Sequence, residues 1–109
     1  MAQQILQINF KINVAREQYE STVAPIAQQF AEVPGCIWKI WLMNEKDSEA
    51  GGIYLFADEA SVVAYKASPL VAAMLVHPAL SDINIKQFEV LTEVSRVTRA
   101  PLGASGAAA

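Results

Sequence analysis

The period of the apolar positions changes several times along the chain, and each change marks an element. Leu6, Ile8, Phe10 and Ile12 share one parity, while Gln7, Asn9 and Lys11 share the other, so residues 4–12 predict a strand with one strongly apolar face. From Ala15 the spacing becomes three and four, through Tyr19, Val23, Ile26, Phe30 and Val33, which is a helical stripe. Pro25 lies inside that stripe. It lacks an N–H and clashes with the preceding turn, so it predicts a kink, or a helix whose strong part starts near it. Pro34-Gly35 stops the helix. Residues 36–43 are apolar on both parities, Cys36, Trp38, Ile40 and Leu42 against Ile37, Trp41 and Met43. The polar run Asn44 to Glu49 predicts a loop, after which Gly51-Gly52 opens a short strand through Ile53, Tyr54, Leu55 and Phe56. Asp58 is a good N-cap for a helix from Glu59, and Ser68-Pro69 reads as a second N-cap and first-turn pair. Leu70, Ala73, Met74 and His77 follow at i, i+3, i+4 and i+7 until Pro78. Ile83 to Val94 predicts a last strand.

Strand, helix, strand, strand, helix, strand is the βαββαβ order of the ferredoxin-like α+β fold, a four-stranded antiparallel sheet with helices on one face. The other face of such a sheet is normally polar and solvated. Here the middle strands carry large apolar residues on both parities, and no remaining segment of this chain can cover the second face. A second copy is the simplest cover, and two sheets packed face to face make a dimeric α/β barrel. A bulge within residues 36–43 would swap which side chains take part. Residues 1–100 read as one domain and residues 101–109 as a Gly/Ala/Ser-rich tail.

Composition sharpens this picture. The chain has 109 residues, 53% hydrophobic and only 17% charged, which is apolar for its size and again favours an oligomer. Eight basic against eleven acidic residues leave a net charge of −3, which argues against nucleic-acid binding and attraction to an anionic membrane. One cysteine rules out an internal disulfide framework and a cysteine-based zinc site, and one histidine rules out a multi-histidine metal site. With no visible secretory signal or apolar membrane span, the cytoplasm is the expected location.

Candidate chemistry concentrates in the middle of the chain. Trp38, Trp41, Tyr54, Phe56 and Tyr65 either fill a core and a dimer interface or line a pocket for a planar apolar ligand, with indole N–H and phenol O–H as donors. His77 is expected to look inward beside Met74. It reads as a histidine bonded at a helix C-terminus, as a general base, or as an axial haem ligand. Asn9 is either paired across the sheet or placed to hydrogen-bond an oxyanion or dioxygen. Lys39, Glu45 and Glu49 form surface ion pairs, or one glutamate against apolar walls acts as a base. Gly51-Gly52 precedes a strand and is a bulge or tight turn, not a phosphate loop. Cys36 reads as a small buried apolar residue.

The run Pro34-Gly35-Cys36-Ile37-Trp38-Lys39-Ile40-Trp41, then Asn44-Glu45-Lys46 and Glu49-Ala50-Gly51-Gly52-Ile53-Tyr54-Leu55-Phe56, resembles the YdhR-type monooxygenase family. Pro25, Asp58-Glu59 and Ala64-Tyr65 agree with it too. The resemblance covers residues 4–66 well and the last strand loosely. It implies a dimeric α/β barrel related to the antibiotic-biosynthesis monooxygenases. Characterised relatives oxidise phenolic, anthrone-like substrates with dioxygen and no cofactor; others isomerise, cyclise, bind haem or only bind small molecules. The resemblance supports Trp38, Lys39, Trp41, Glu49 and Tyr54 as functional positions. His77 lies outside the matching motif.

The leading expectation is a homodimeric, cofactor-independent monooxygenase acting on a small aromatic or phenolic substrate. His77 or Glu49 is the expected base. Trp38, Trp41, Tyr54, Tyr65, Met74 and Asn9 are the expected substrate contacts, with no metal ligands. The alternatives are a haem protein, with His77 axial and Asn9 on the distal side, and a non-catalytic module for a hydrophobic ligand.

Overall fold

The computed structural model describes residues 2–103. The element order is β1 (Gln4–Ile12), α1 (Arg16–Val23), α2 (Ala27–Ala31), β2 (Cys36–Asn44), β3 (Glu49–Phe56), α3 (Glu59–Lys66), α4 (Pro69–Leu75), β4 (Leu80–Glu89) and α5 (Thr92–Val97). The four strands form one antiparallel sheet in the order β2-β3-β1-β4, the ferredoxin-like topology expected from the element order.

Local chemistry accounts for most boundaries. The first helical stripe is broken where Pro25 stands: Ala24–Ile26 tightens into a single 3₁₀ turn between α1 and α2. Gly35 follows α2 with φ 80°, and a Cβ there would sit 2.0 Å from Ser61 Oγ, so only glycine fits. Asp58 caps α3, its Oδ1 accepting from the Ser61 N–H at 2.8 Å. Pro69 takes the first turn of α4.

Three boundaries differ from the sequence reading, the first being that β4 begins at Leu80 and not at Ile83. β3 starts at Glu49, so the glycine pair lies inside the strand, and Glu49 pairs with Lys11 instead of ending a loop. β4 ends at Glu89, and Thr92–Val97 is helical. Leu91, Val94 and Val97 recur every three residues, a helical spacing that the strand reading passed over.

Register assigns the faces. Leu6, Ile8 and Phe10 stand opposite Tyr54, Gly52 and Ala50, and these point toward the helices. They join Phe56, Val62, Tyr65 and Val71 in the core, with Leu6, Ile8, Phe56, Val62 and Val71 fully buried. In β2 a bulge falls between Cys36 and Trp38, the irregularity that swaps faces. Cys36, Lys39, Trp41 and Met43 therefore share the helix side, while Trp38, Ile40 and Leu42 share the open side.

The open side is apolar but unevenly covered. Leu55 is fully buried there, and Leu102 is buried as well. The C-terminal segment is tied down by the Trp38 indole N–H, which donates to the Pro101 carbonyl, and by the Gln3 amide, which donates to the Leu102 carbonyl at 2.9 Å. The part of the expected tail beyond Gly103 lies outside the described residues. Ile40 and Phe88 remain about half exposed on this face.

Candidate functional site

Between the sheet and helices α1, α2 and α4 lies a cavity of about 290 Å³. Its floor is Ile8 and Phe10 of β1 with Gly51, Gly52 and Tyr54 of β3; β2 adds Lys39 and Trp41. Tyr19, Thr22, Val23, Ile26 and Phe30 form one wall, and Leu70, Ala73, Met74 and His77 form the other. Such a lining, mostly apolar with a few polar groups, is what small-molecule sites use.

The glycines shape the floor. A Cβ at Gly51 would fall 2.0 Å from the Ile8 carbonyl oxygen, so β1 and β3 approach closely only because that atom is missing. A Cβ at Gly52 would fall 2.6 Å from Lys39 Cε. Gly52 thus leaves the groove through which the Lys39 stem crosses the sheet toward the cavity.

Lys39 ends among aromatic rings. Its Nζ lies 3.4 Å from the Trp41 centroid, 3.7 Å from Phe30 and 4.7 Å from Tyr54. Phe30 and Trp41 meet edge to face at 5.2 Å, which holds the two nearest rings in place. Among the described residues no carboxylate pairs with this amine; the ion pairs there are those of Arg16 with Glu20 and Glu45. Burial lowers the Lys39 pKa to about 7, with the nearby Cys36 acting slightly in the opposite sense. The ring faces also favour the ammonium form. Both forms of the amine are thus accessible near neutral pH.

Tyr54 and Tyr65 form a buried pair, the Tyr65 hydroxyl donating to Tyr54 Oη at 2.8 Å. Burial raises Tyr65 to about 12 and Tyr54 well beyond the usual phenol range. Both stay neutral, and Tyr54 retains its own proton to donate from the cavity wall.

The expected site residues divide. Trp41, Tyr54, Met74 and His77 line the cavity, and Tyr65 stands behind Tyr54. Trp38 and Asn9 do not line it: the β2 bulge puts Trp38 on the open side, and Asn9 Oδ1 accepts from the Gln7 amide at 2.9 Å on that same side. Glu49 is outside as well, opposite Lys11 on the open face. His77 faces the cavity, yet its Nδ1 accepts from the Ala79 N–H at 3.1 Å. Nδ1 is thus engaged by the backbone, and Nε2 is the ring nitrogen left for a further contact.

The same bond counts against haem. An axial histidine needs a free lone pair on Nε2, with the proton on Nδ1. The distal position expected of Asn9 is also missing, because Asn9 lies across the sheet. His77 and Asn9, the pair expected around a haem, are therefore not brought together.

The residue pattern alone read Lys39 as a surface charge, and only the family resemblance marked it as functional; Phe30 and Tyr19 were not among the expected site residues. One signal was present: a single charge inside a strand apolar on both parities, in the run that also carries Trp38 and Trp41. Which face it takes depends on the bulge.

Sheet order, helix placement and cavity define a ferredoxin-like α+β protein with an apolar site between sheet and helices. The chain belongs to the family described as Putative mono-oxygenase ydhR, whose profile matches residues 5–101. Among solved structures it is similar to SnoaB, a cofactor-independent oxygenase from Streptomyces nogalater, with 23% identity and a TM-score of 0.66 over 85% of this chain and 100% of that one. It is also similar to the heme-degrader MhuD from Mycobacterium tuberculosis, with 19% identity and a TM-score of 0.63 over 80% and 95% of the two chains. A Nitrosomonas europaea protein of unknown function shares 24% identity, with a TM-score of 0.61 over 84% and 91%. At these identities the likeness to solved structures is one of fold. No curated protein matches in sequence. Among the described residues no helix is long and apolar enough to cross a membrane.

Proposed function

We propose that the chain is a cofactor-independent monooxygenase that takes a small, acidic aromatic substrate, of the anthrone or quinol type, into the cavity beneath Trp41. The observation that carries this reading is the Lys39 amine, held against Phe30, Trp41 and Tyr54 in an apolar cavity with no carboxylate partner among the described residues. Family membership and the oxygenase fold of SnoaB support it.

For an anthrone the chemistry balances without a further reactant. Neutral Lys39 takes a proton from the activated CH₂ carbon. The resulting carbanion is stabilised by the new ammonium and by the Tyr54 O–H, in a mostly apolar site. The carbanion transfers electrons to dioxygen and forms a C–O bond. Lys39 returns its proton to the peroxide. Loss of the second carbon proton together with hydroxide then leaves a carbonyl and one water. His77 donates through Nε2–H at the cavity edge. Lys39 here takes the role that the sequence suggested for His77 or Glu49.

We also propose that two copies pair through the open sheet face, where Ile40 is 49% and Phe88 50% exposed, and that the enzyme works in the cytoplasm as a single domain with a C-terminal tail. Sedimentation equilibrium tests the dimer, and a monomer at micromolar concentration overturns it.

Oxygen uptake by the purified protein with a panel of anthrones and quinols tests the activity. The rate is expected to rise with pH through about 7 as Lys39 loses its proton. Loss of a general base commonly costs roughly 10²–10⁴-fold, so Lys39→Met should fall in that range. Uptake by the wild type no faster than by Lys39→Met removes the proposal. Binding of the same compounds without uptake marks the cavity as a hydrophobic-ligand site. A Soret shift on adding hemin, lost in His77→Ala, restores the haem reading.

A further inference from the structure

A second kind of chemistry belongs to the same amine. Carbonyl condensation needs a primary amine that is unprotonated, poorly solvated and beside room for an apolar partner. Geometry meets the conditions of poor solvation and of room: Lys39 is largely buried, its stem lies over Gly52, its Nζ is against three rings, and it borders a cavity of about 290 Å³. The other four lysines, Lys11, Lys46, Lys66 and Lys86, are exposed. Among the described residues, the titratable groups packed near Lys39 are Cys36 on its own strand and Tyr54 on β3. Neither supplies a buried anion that would hold the amine protonated, since burial raises both the thiol and the phenol above their ordinary values.

We infer that Lys39 is a covalent capture site for small apolar aldehydes, forming a reversible imine inside the cavity. Nζ attacks the carbonyl carbon, and a C–N bond forms as the carbonyl π bond opens. The carbinolamine then loses its oxygen as water, which takes both protons of the amine. Nothing is oxidised or reduced. An aromatic aldehyde fits best, because its ring takes the place beside Trp41 and Met74 that the cavity offers to any planar apolar group. The inference rests on the same cavity as the proposed oxygenase but needs neither dioxygen nor an acidic substrate. The lowered pKa of Lys39 supports it, since near neutral pH much of this amine is free, against a small fraction of an ordinary lysine.

The test is reductive trapping under anaerobic conditions. The full-length protein is incubated at pH 7 with benzaldehyde or cinnamaldehyde and sodium cyanoborohydride, which delivers hydride to the imine carbon. Intact mass and peptide mapping locate the adduct. One adduct per chain is expected, at Lys39, formed at least tenfold faster than at any of the four exposed lysines. Toluene should slow it by competing for the cavity, and Lys39→Arg should abolish it with the fold retained. Labelling spread evenly over the five lysines, or a rate indifferent to toluene, overturns the inference. Trapping without oxygen uptake sinks the oxygenase proposal alone, and uptake without trapping sinks this one alone.

Discussion

Replacing Lys39 by methionine keeps an unbranched stem against Gly52 and the aromatic rings while removing the amine, and its effect on stability should depend on pH. The folded-state pKa is about 7 and the ordinary value 10.5. Between these values the unfolded chain holds more protons than the folded one. Stability of the wild type therefore rises with pH across this window, and at or below pH 7 the folded state carries most of the cost of desolvating a cation. The slope has a ceiling of about 1.4 kcal/mol per pH unit. The faces of Phe30, Trp41 and Tyr54 oppose burial, each favouring the ammonium by about 0.5–2 kcal/mol. Lys39 is also not wholly shielded from solvent. The expected net gain is therefore below the ceiling, about 1–2 kcal/mol from pH 7 to pH 9 relative to Lys39→Met. Urea unfolding of both proteins at half-unit pH intervals measures it. The difference profile cancels the other titrating groups, including Tyr54 and Tyr65, whose raised values bear on stability at higher pH. Parallel profiles would refute the reasoning, and so would a directly observed Lys39 titration near 10.5.

Three other outcomes follow from the same geometry. Gly51→Ala places a Cβ against the Ile8 carbonyl and is expected to cost about 3 kcal/mol or more, whereas Gly52→Ala clashes with the movable Lys39 Cε, its other neighbours lying at 3.4 Å or beyond, and should cost about 1 kcal/mol while pushing the amine from its cage; chemical denaturation compares them. Tyr65→Phe removes the donor to Tyr54 but keeps the ring, so a loss of about 1 kcal/mol is expected, and none at all would mean that the pair is not formed. Trp41→Leu should weaken binding of an aromatic ligand at least tenfold, while Trp38→Phe leaves it within twofold, as read by calorimetry; equal effects would place both indoles at one site.

Much of this architecture could be read from the chain itself, because alternation and helical spacing are local consequences of burial on one face. The parity of Leu6, Ile8, Phe10 and Ile12, the break at Pro25, the cap at Asp58 and the start at Pro69 all operate within a few residues, and all appear in the structure. The apolar second face of the sheet was equally visible as a surplus of large residues on both parities of the middle strands. The end of β4 was harder, since Val90, Leu91 and Val94 satisfy a strand or a helix over so short a run.

The candidate site was legible only in part. Tyr54 and Met74 could be placed by spacing. The faces of Trp38 and Cys36 could not, because a bulge between them changes which neighbours share a side. That one extra residue decides that Trp38 ties down the C-terminal segment while Lys39 and Trp41 turn toward the helices. The role of His77 depended on a bond to the backbone of Ala79, which no pattern records. A lysine in a strand reads as a surface charge until the opposing Gly52 and the rings of three separate elements are brought around it. The chain alone determined the fold and the surplus of apolar surface; tertiary packing decided which charge that surface encloses, because burial of one amine is a property of all the elements that meet there.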